Sequence, residues 1–209
     1  MSKGKLITIY GINNVGKSTQ SQILVEKLKS EGHEVKFLKY PIYDLAPTGP
    51  FLNSVLRSKD GQKISEDELQ LWFILNRYQF QPELKKFLDE GYIVVAEDYV
   101  GTGIAWGTAK GLAQEWLEEA NKFLIKEDLA VLINGERDPK VIEKIHVHEQ
   151  NPELIMKCAV VLKMMAKKFN WKEIERKSTI EDTSTEIWRV VQDFLQKGPK
   201  NDKIGRNLK

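Results

Sequence analysis

One cysteine, Cys158, occurs in 209 residues. An intrachain disulfide and a cysteine-based zinc centre are therefore excluded. With Met156, Ala159 and Val160 as neighbours, the thiol is expected on a buried helix face rather than as a nucleophile. Long apolar runs are missing too. None approaches the ~20 residues that span a bilayer, and mean hydropathy is −0.41. Met1-Ser2-Lys3-Gly4-Lys5 has no signal-peptide layout, so the expected location is cytoplasmic. Nor is there an excess of one charge. Thirty-two basic residues face 30 acidic ones for a net charge of +2, so neither nucleic acid nor a membrane is an expected partner. Arginine is scarce: the six are Arg57, Arg77, Arg137, Arg176, Arg189 and Arg206. Arginine is the preferred bidentate clamp for phosphate, so the place of each one matters. What is present suffices for a core. The chain is 41% apolar, and its length suits one domain with a small flap.

Short apolar runs alternate with amphipathic segments. Lys5–Tyr10, Val35–Tyr40, Tyr92–Ala96 and Leu129–Ile133 read as strands, with Glu173–Glu175 as a weaker fifth. Helical periodicity covers Lys17–Ser30 and Leu112–Leu124. Ser65-Glu66-Asp67-Glu68 is a capping box opening a helix through Tyr78, with a break or kink expected near Pro82. Asn151-Pro152 opens a helix to Phe169, and Ser178-x-x-Glu181 caps the last one, to about Gln196. Pro41, Pro47, Gly49 and Pro50 mark a long loop. Strands that are apolar throughout imply a parallel sheet with helices on both faces, an α/β fold. Residues 1–197 form one domain in this scheme, and residues 198–209 a basic tail expected to fray.

Gly11-Ile12-Asn13-Asn14-Val15-Gly16-Lys17-Ser18 fits the P-loop pattern G-x-x-x-x-G-K-[ST], and it sits between an apolar strand and a helix as the mechanism requires. Glycines let the backbone curl, so that N–H groups from Asn14 to Thr19 and the helix N-terminus face a phosphate. Lys17 is expected on the β- and γ-phosphates of ATP and Ser18 on Mg²⁺. Ile93-Val94-Val95-Ala96 ends in Glu97-Asp98, where a carboxylate can hold Mg²⁺ or orient a nucleophile. Asp98-x-x-Gly101 also fits a GTPase pattern, but the guanine reader Asn-Lys-x-Asp is missing: Asn121-Lys122-Phe123-Leu124 lacks the acid.

These segments, in this order, resemble the thymidylate kinases over most of residues 5–196. Gly-Lys-Ser-Thr-Gln at 16–20 is similar to that family's loop. Leu71-Trp72-Phe73-Ile74-Leu75-Asn76-Arg77-Tyr78 resembles its "LLFxANRW" helix, and residues 97–110 resemble "DRYxxSGxAxxxAK". The resemblance implies a P-loop fold of three layers around a five-stranded sheet, with a short helical lid over about 138–156. It implies ATP- and Mg²⁺-dependent phosphorylation of dTMP by a homodimer. It further implies Phe73 stacked on the base and Arg77 bonded to it. Asn13, Tyr99, Thr102 and Gly103 would line the acceptor site, Gly11 and Asn14 to Thr19 the ATP site, and Arg176 the adenine. Lys17 and Glu97 would be the catalytic pair, with Ser18 and Glu97 at the metal.

The chain also departs from the family. Its P-loop aspartate is Asn13, and "DR" has become Glu97-Asp98. Tyr40-Pro41-Ile42-Tyr43 lacks the arginine usual after strand two, leaving Lys39 as the nearest cation, and no arginine lies between Arg137 and Arg176. Lys140, Lys144, His146 and His148 are the lid's other basic residues. A phosphate acceptor carries about two negative charges, so an acid in place of an arginine disfavours it. Two alternatives follow: a deoxynucleoside or other nucleotide kinase of this fold, with Glu97 as base, and a catalytically weak nucleotide-binding protein.

Overall fold

A computed structural model describes residues 3–58, 61–136 and 151–196. Five strands, β1 (Lys5–Tyr10), β2 (Val35–Lys39), β3 (Ile93–Glu97), β4 (Leu129–Asn134) and β5 (Lys172–Glu175), form one sheet in the order β2-β3-β1-β4-β5. Every pairing is parallel. Around it lie α1 (Lys17–Ser30), α2 (Thr48–Leu56), α3 (Glu66–Asp89), α4 (Val100–Ala109), α5 (Gln114–Asn121), α6 (Pro152–Lys168) and α7 (Ile180–Gln196).

Side chains alternate across the sheet with period two. Leu6, Tyr10, Val94, Ala96, Ala130 and Leu132 join the core under α3 to α6. Ile7, Ile9, Ile93, Val95, Val131 and Ile133 join the one under α1 and α7. Both faces are covered, which is why the central strands read as unbroken apolar runs. Cys158 is wholly buried, and burial pushes its thiol up to about 12, as expected of a structural cysteine.

Three local readings need correction. The segment read as loop across Pro47, Gly49 and Pro50 carries α2, because proline is tolerated in a helix's first turn. Val100–Ala109, to which no element was assigned from the sequence, is helical despite its three glycines. Helix α3 runs through Pro82 without a break, with Leu69 and Ile74 buried before it and Leu84 and Leu88 after it. Thr179, not Ser178, caps α7: its hydroxyl accepts from Asp182 N at 3.0 Å. Most of the expected lid, with Lys140, Lys144, His146 and His148, lies outside the described residues, and so does the basic tail. Residues 151–156 are the Asn151 cap and first turn of α6.

One buried polar chain ties the sheet to α4. The Tyr10 hydroxyl donates to Glu127 Oε1 at 3.1 Å and accepts from Gly101 N at 3.2 Å. A Cβ at Gly101 would lie 2.5 Å from the Trp171 ring, so only glycine lets α4 start there. Burial raises the Glu127 carboxyl above its ordinary range, with the Tyr10 hydrogen bond opposing. A raised native pKa favours the folded state below the unfolded value, and that advantage is lost as pH rises through the folded value. Glu127→Gln keeps an acceptor for Tyr10 and removes the charge. Its melting temperature is expected to match wild type near about pH 4 and to exceed it increasingly toward about pH 7. Melts that stay parallel across that range would refute a burial cost at Glu127.

Candidate functional site

The strand register sets up the site. Ile9 and Lys39 both pair with Glu97, so β1, β2 and β3 end together at their carboxyl edge. In open α/β sheets ligands bind outside that edge. Here a cleft of about 380 Å³ opens.

The P-loop leaves β1 with Gly11 at φ 154°, Asn14 at φ 63° and Gly16 at φ 105°. A Cβ at Gly11 would meet Val15 at 2.8 Å and the Ile133 carbonyl at 2.9 Å, so the first glycine is required by space. Lys17 is 6% exposed, and its ammonium donates to the Gly11 and Ile12 carbonyls at 2.9 and 3.0 Å. It lies 3.8 Å from Asp98 Oδ1.

Opposite the loop, Ser18 Oγ donates to Glu97 Oε1 at 2.7 Å. The Lys39 ammonium reaches both, at 3.0 Å from Ser18 Oγ and 2.9 Å from Glu97 Oε1. Burial works to lower the Lys39 ammonium, but the Glu97 charge and hydrogen bond outweigh it and hold it above its usual value. Glu97 is 3% exposed, and its Oε2 has no partner among the described residues. Asp98 has φ 57° and accepts from Thr102 Oγ1 at 2.6 Å. Burial raises the Asp98 carboxyl, against the pull of Lys17.

The far wall belongs to α3 and α4. Phe73 and Arg77, four residues apart, share one face of α3, and both line the cleft. Arg77 is 4% exposed. Its Nε donates to Asn121 Oδ1 at 3.2 Å and its Nη1 to the Tyr99 carbonyl at 3.5 Å. Burial lowers it to about 10, which leaves it charged at neutral pH. A Cβ at Gly103 would lie 2.9 Å from Arg77 Nη2, so glycine there admits the guanidinium.

The cleft gathers Asn13, Asn14, Val15, Gly16, Lys17, Ser18, Thr19, Phe73, Arg77, Glu97, Tyr99, Thr102, Gly103 and Arg176. Gly11 stands just behind, as an acceptor for Lys17. Tyr99 contributes through its backbone, for its ring is 1% exposed and its hydroxyl donates to the Ile125 carbonyl at 3.0 Å. Arg176 Nη1 donates to the Glu136 carbonyl at 2.8 Å. Lys39, Arg57 and Gln70 also line the cleft, without a role in the sequence reading. Lys39 was noted only as the nearest cation. Arg57 follows α2, its guanidinium 5.0 Å over the Tyr43 ring and bonded to Asn53. Gln70 lies one turn before Phe73.

A sequence model described as "Thymidylate kinase" matches residues 9–194. The chain belongs to the thymidylate kinase family. It is 27% identical to human thymidylate kinase over 200 residues, which is 93% of this chain and 92% of the human protein. It is 29% identical to thymidylate kinase of Schizosaccharomyces pombe over 199 residues, 91% and 92% of the two chains. The solved thymidylate kinase of Candida albicans superposes with a TM-score of 0.80 at 25% identity, covering 92% of this chain and 93% of the other. The chain is thus a phosphotransferase of thymidylate kinase type with the family's α/β fold. Among the described residues no helix is long and apolar enough to cross a membrane.

Proposed function

We propose that this thymidylate kinase moves the γ-phosphoryl group of ATP onto the 5′-phosphate of dTMP, releasing ADP and dTDP. The observation that carries this is convergence: the P-loop lysine, the Ser18–Glu97 pair and the Phe73–Arg77 face all open into one cleft. The acceptor oxygen is already ionised, so no general base is needed, and catalysis reduces to alignment and charge neutralisation. Lys17 follows the transferring group, and the N–H groups of the loop cradle the phosphates of ATP. Arg176 lies beside the adenine.

The Ser18–Glu97 pair suits Mg²⁺, which takes a hydroxyl, a carboxylate and substrate phosphate oxygens. A cation already stands there, since the Lys39 ammonium bridges the same two oxygens while Glu97 Oε2 has no partner. When bound, the metal neutralises charge on the β- and γ-phosphates. Lys39 and Arg57, on the β2–α2 side, supply positive charge for the acceptor phosphate in place of the family's arginines.

Asp98 supports a second reading, a nucleoside acceptor, because a partly buried acid stands where a phosphate-binding arginine is expected. An ADP-release assay with Mg-ATP separates the two, using dTMP, dUMP, dCMP, dGMP, UMP and thymidine. Turnover of dTMP is expected. Turnover of thymidine without dTMP supports the second reading, and ATP binding without any turnover supports a regulatory protein.

The enzyme is further proposed to be a cytoplasmic homodimer acting on small nucleotides. Leu71 and Leu75 on α3, and Met156, Val160 and Met164 on α6, leave between 49% and 70% of their surface exposed. Such apolar stripes favour a second copy. Light scattering is expected to give about twice 24.1 kDa. A monomer mass at micromolar concentration would reject the dimer.

A further inference from the structure

Gln70 is wholly buried, yet both polar atoms of its carboxamide lack a partner among the described residues. It lines the catalytic cleft. Such a group costs stability unless something else satisfies it. Arg77 Nη2 is unpaired in the same way. Gln70, Phe73 and Arg77 fall at i, i+3 and i+7, one stripe along α3, with the aromatic ring between two polar groups. Gln70 and Arg77 both pack against glycines of α4. A Cβ at Gly103 would meet the Arg77 guanidinium, and one at Gly107 would lie 3.2 Å from Gln70 Cγ. Those glycines are one turn apart, about 6 Å along the helix. Two groups at that spacing can share one edge of a six-membered ring stacked on Phe73.

We propose that Gln70 is a base-reading residue, and that with Arg77 it recognises the imide edge of thymine. The assignment rests on dTMP being the acceptor. The imide presents C=O, N–H and C=O in series. The unpaired protein atoms offer a donor, Arg77 Nη2, an acceptor, Gln70 Oε1, and a donor, Gln70 Nε2. All three are satisfied at once when the carboxamide is turned with Oε1 toward N3–H. Cytosine puts an amine in place of one carbonyl and an acceptor in place of N3–H, and so mismatches two of the three. Base recognition of this kind discriminates strongly, because the wrong base leaves buried polar groups unpaired. Phe73 is half-buried and lines the same cleft.

The test pairs an edited substrate with edited side chains. kcat/KM is measured for dTMP and for dTMP methylated at N3, with wild type, Gln70→Ala and Gln70→Met. Wild type is expected to lose roughly a hundredfold or more on the N3-methyl substrate. Gln70→Ala removes the acceptor and makes room for the methyl, so its two values are expected to lie within about threefold. Gln70→Met keeps the side chain's length and is expected to lose roughly ten- to a hundredfold on dTMP, mainly in KM, with ATP KM unchanged. Wild-type dTMP kinetics in Gln70→Met, or undiminished discrimination in Gln70→Ala, overturns the assignment alone. No dTMP turnover by wild type overturns the acceptor itself and the assignment with it.

Discussion

Lys17→Ala is expected to lower kcat on dTMP by roughly a hundred- to a thousandfold, the cost of removing one preorganised stabiliser of transition-state charge. The ammonium is held at the mouth of the P-loop by the Gly11 and Ile12 carbonyls, neither of which cancels its charge. Its ionic neighbour is Asp98, and Glu97 lies beyond. Without Lys17, two acids remain beside the transferring phosphoryl group, balanced on that side by Lys39. A single charge–charge contact at surface-like dielectric is worth about 1–4 kcal/mol, so the loss should exceed that of a neutral hydrogen-bond donor. The measurement is single-turnover transfer at saturating ATP and dTMP, with circular dichroism to confirm the fold. A rate within about threefold of wild type would remove Lys17 from the reaction.

The parts of this site that were legible in the sequence are those carried by short-range geometry. Gly11 to Ser18 is one continuous segment, and its neighbours in the chain are its neighbours in space. Phe73 and Arg77 could be paired because four residues on a helix make one face. Strands β1, β3 and β4 were read within a residue of their bounds, since burial on both faces leaves only apolar residues. What stayed hidden depends on tertiary contact. Helix α4 holds three glycines, and propensity argues against a helix there. Its glycines answer to partners far along the chain: Gly101 to Trp171 and Tyr10, Gly103 to Arg77, Gly107 to Leu117 and Gln70. Arg57 was invisible because the helix that delivers it begins with residues that elsewhere break helices. Gln70 carries no motif, and its significance lies in a buried carboxamide with no partner among the described residues.

Arg77→Ala tests the opposite wall. It is expected to raise KM for dTMP by roughly ten- to a hundredfold, the range for losing hydrogen bonds from a charged group. KM for ATP should stay within about twofold, because the P-loop lies across the cleft and shares no partner with Arg77. Stability should fall as well: the Asn121 carbonyl oxygen and the Tyr99 carbonyl lose a buried donor, and a void opens beside Gly103. Arg77→Lys keeps the charge but cannot bond to Asn121, Tyr99 and a base at once, since an ammonium is a point charge and a guanidinium a fork. If charge alone mattered, lysine would restore dTMP affinity; if the fork matters, it would not. The geometry favours the fork, because Nε and Nη1 are already committed to α5 and to the start of α4 while Nη2 is left over. Two of the guanidinium's nitrogens are held in place, and the third is left without a partner among the described residues. Unchanged dTMP KM in Arg77→Ala would leave that buried cation as a structural brace between α3, α4 and α5.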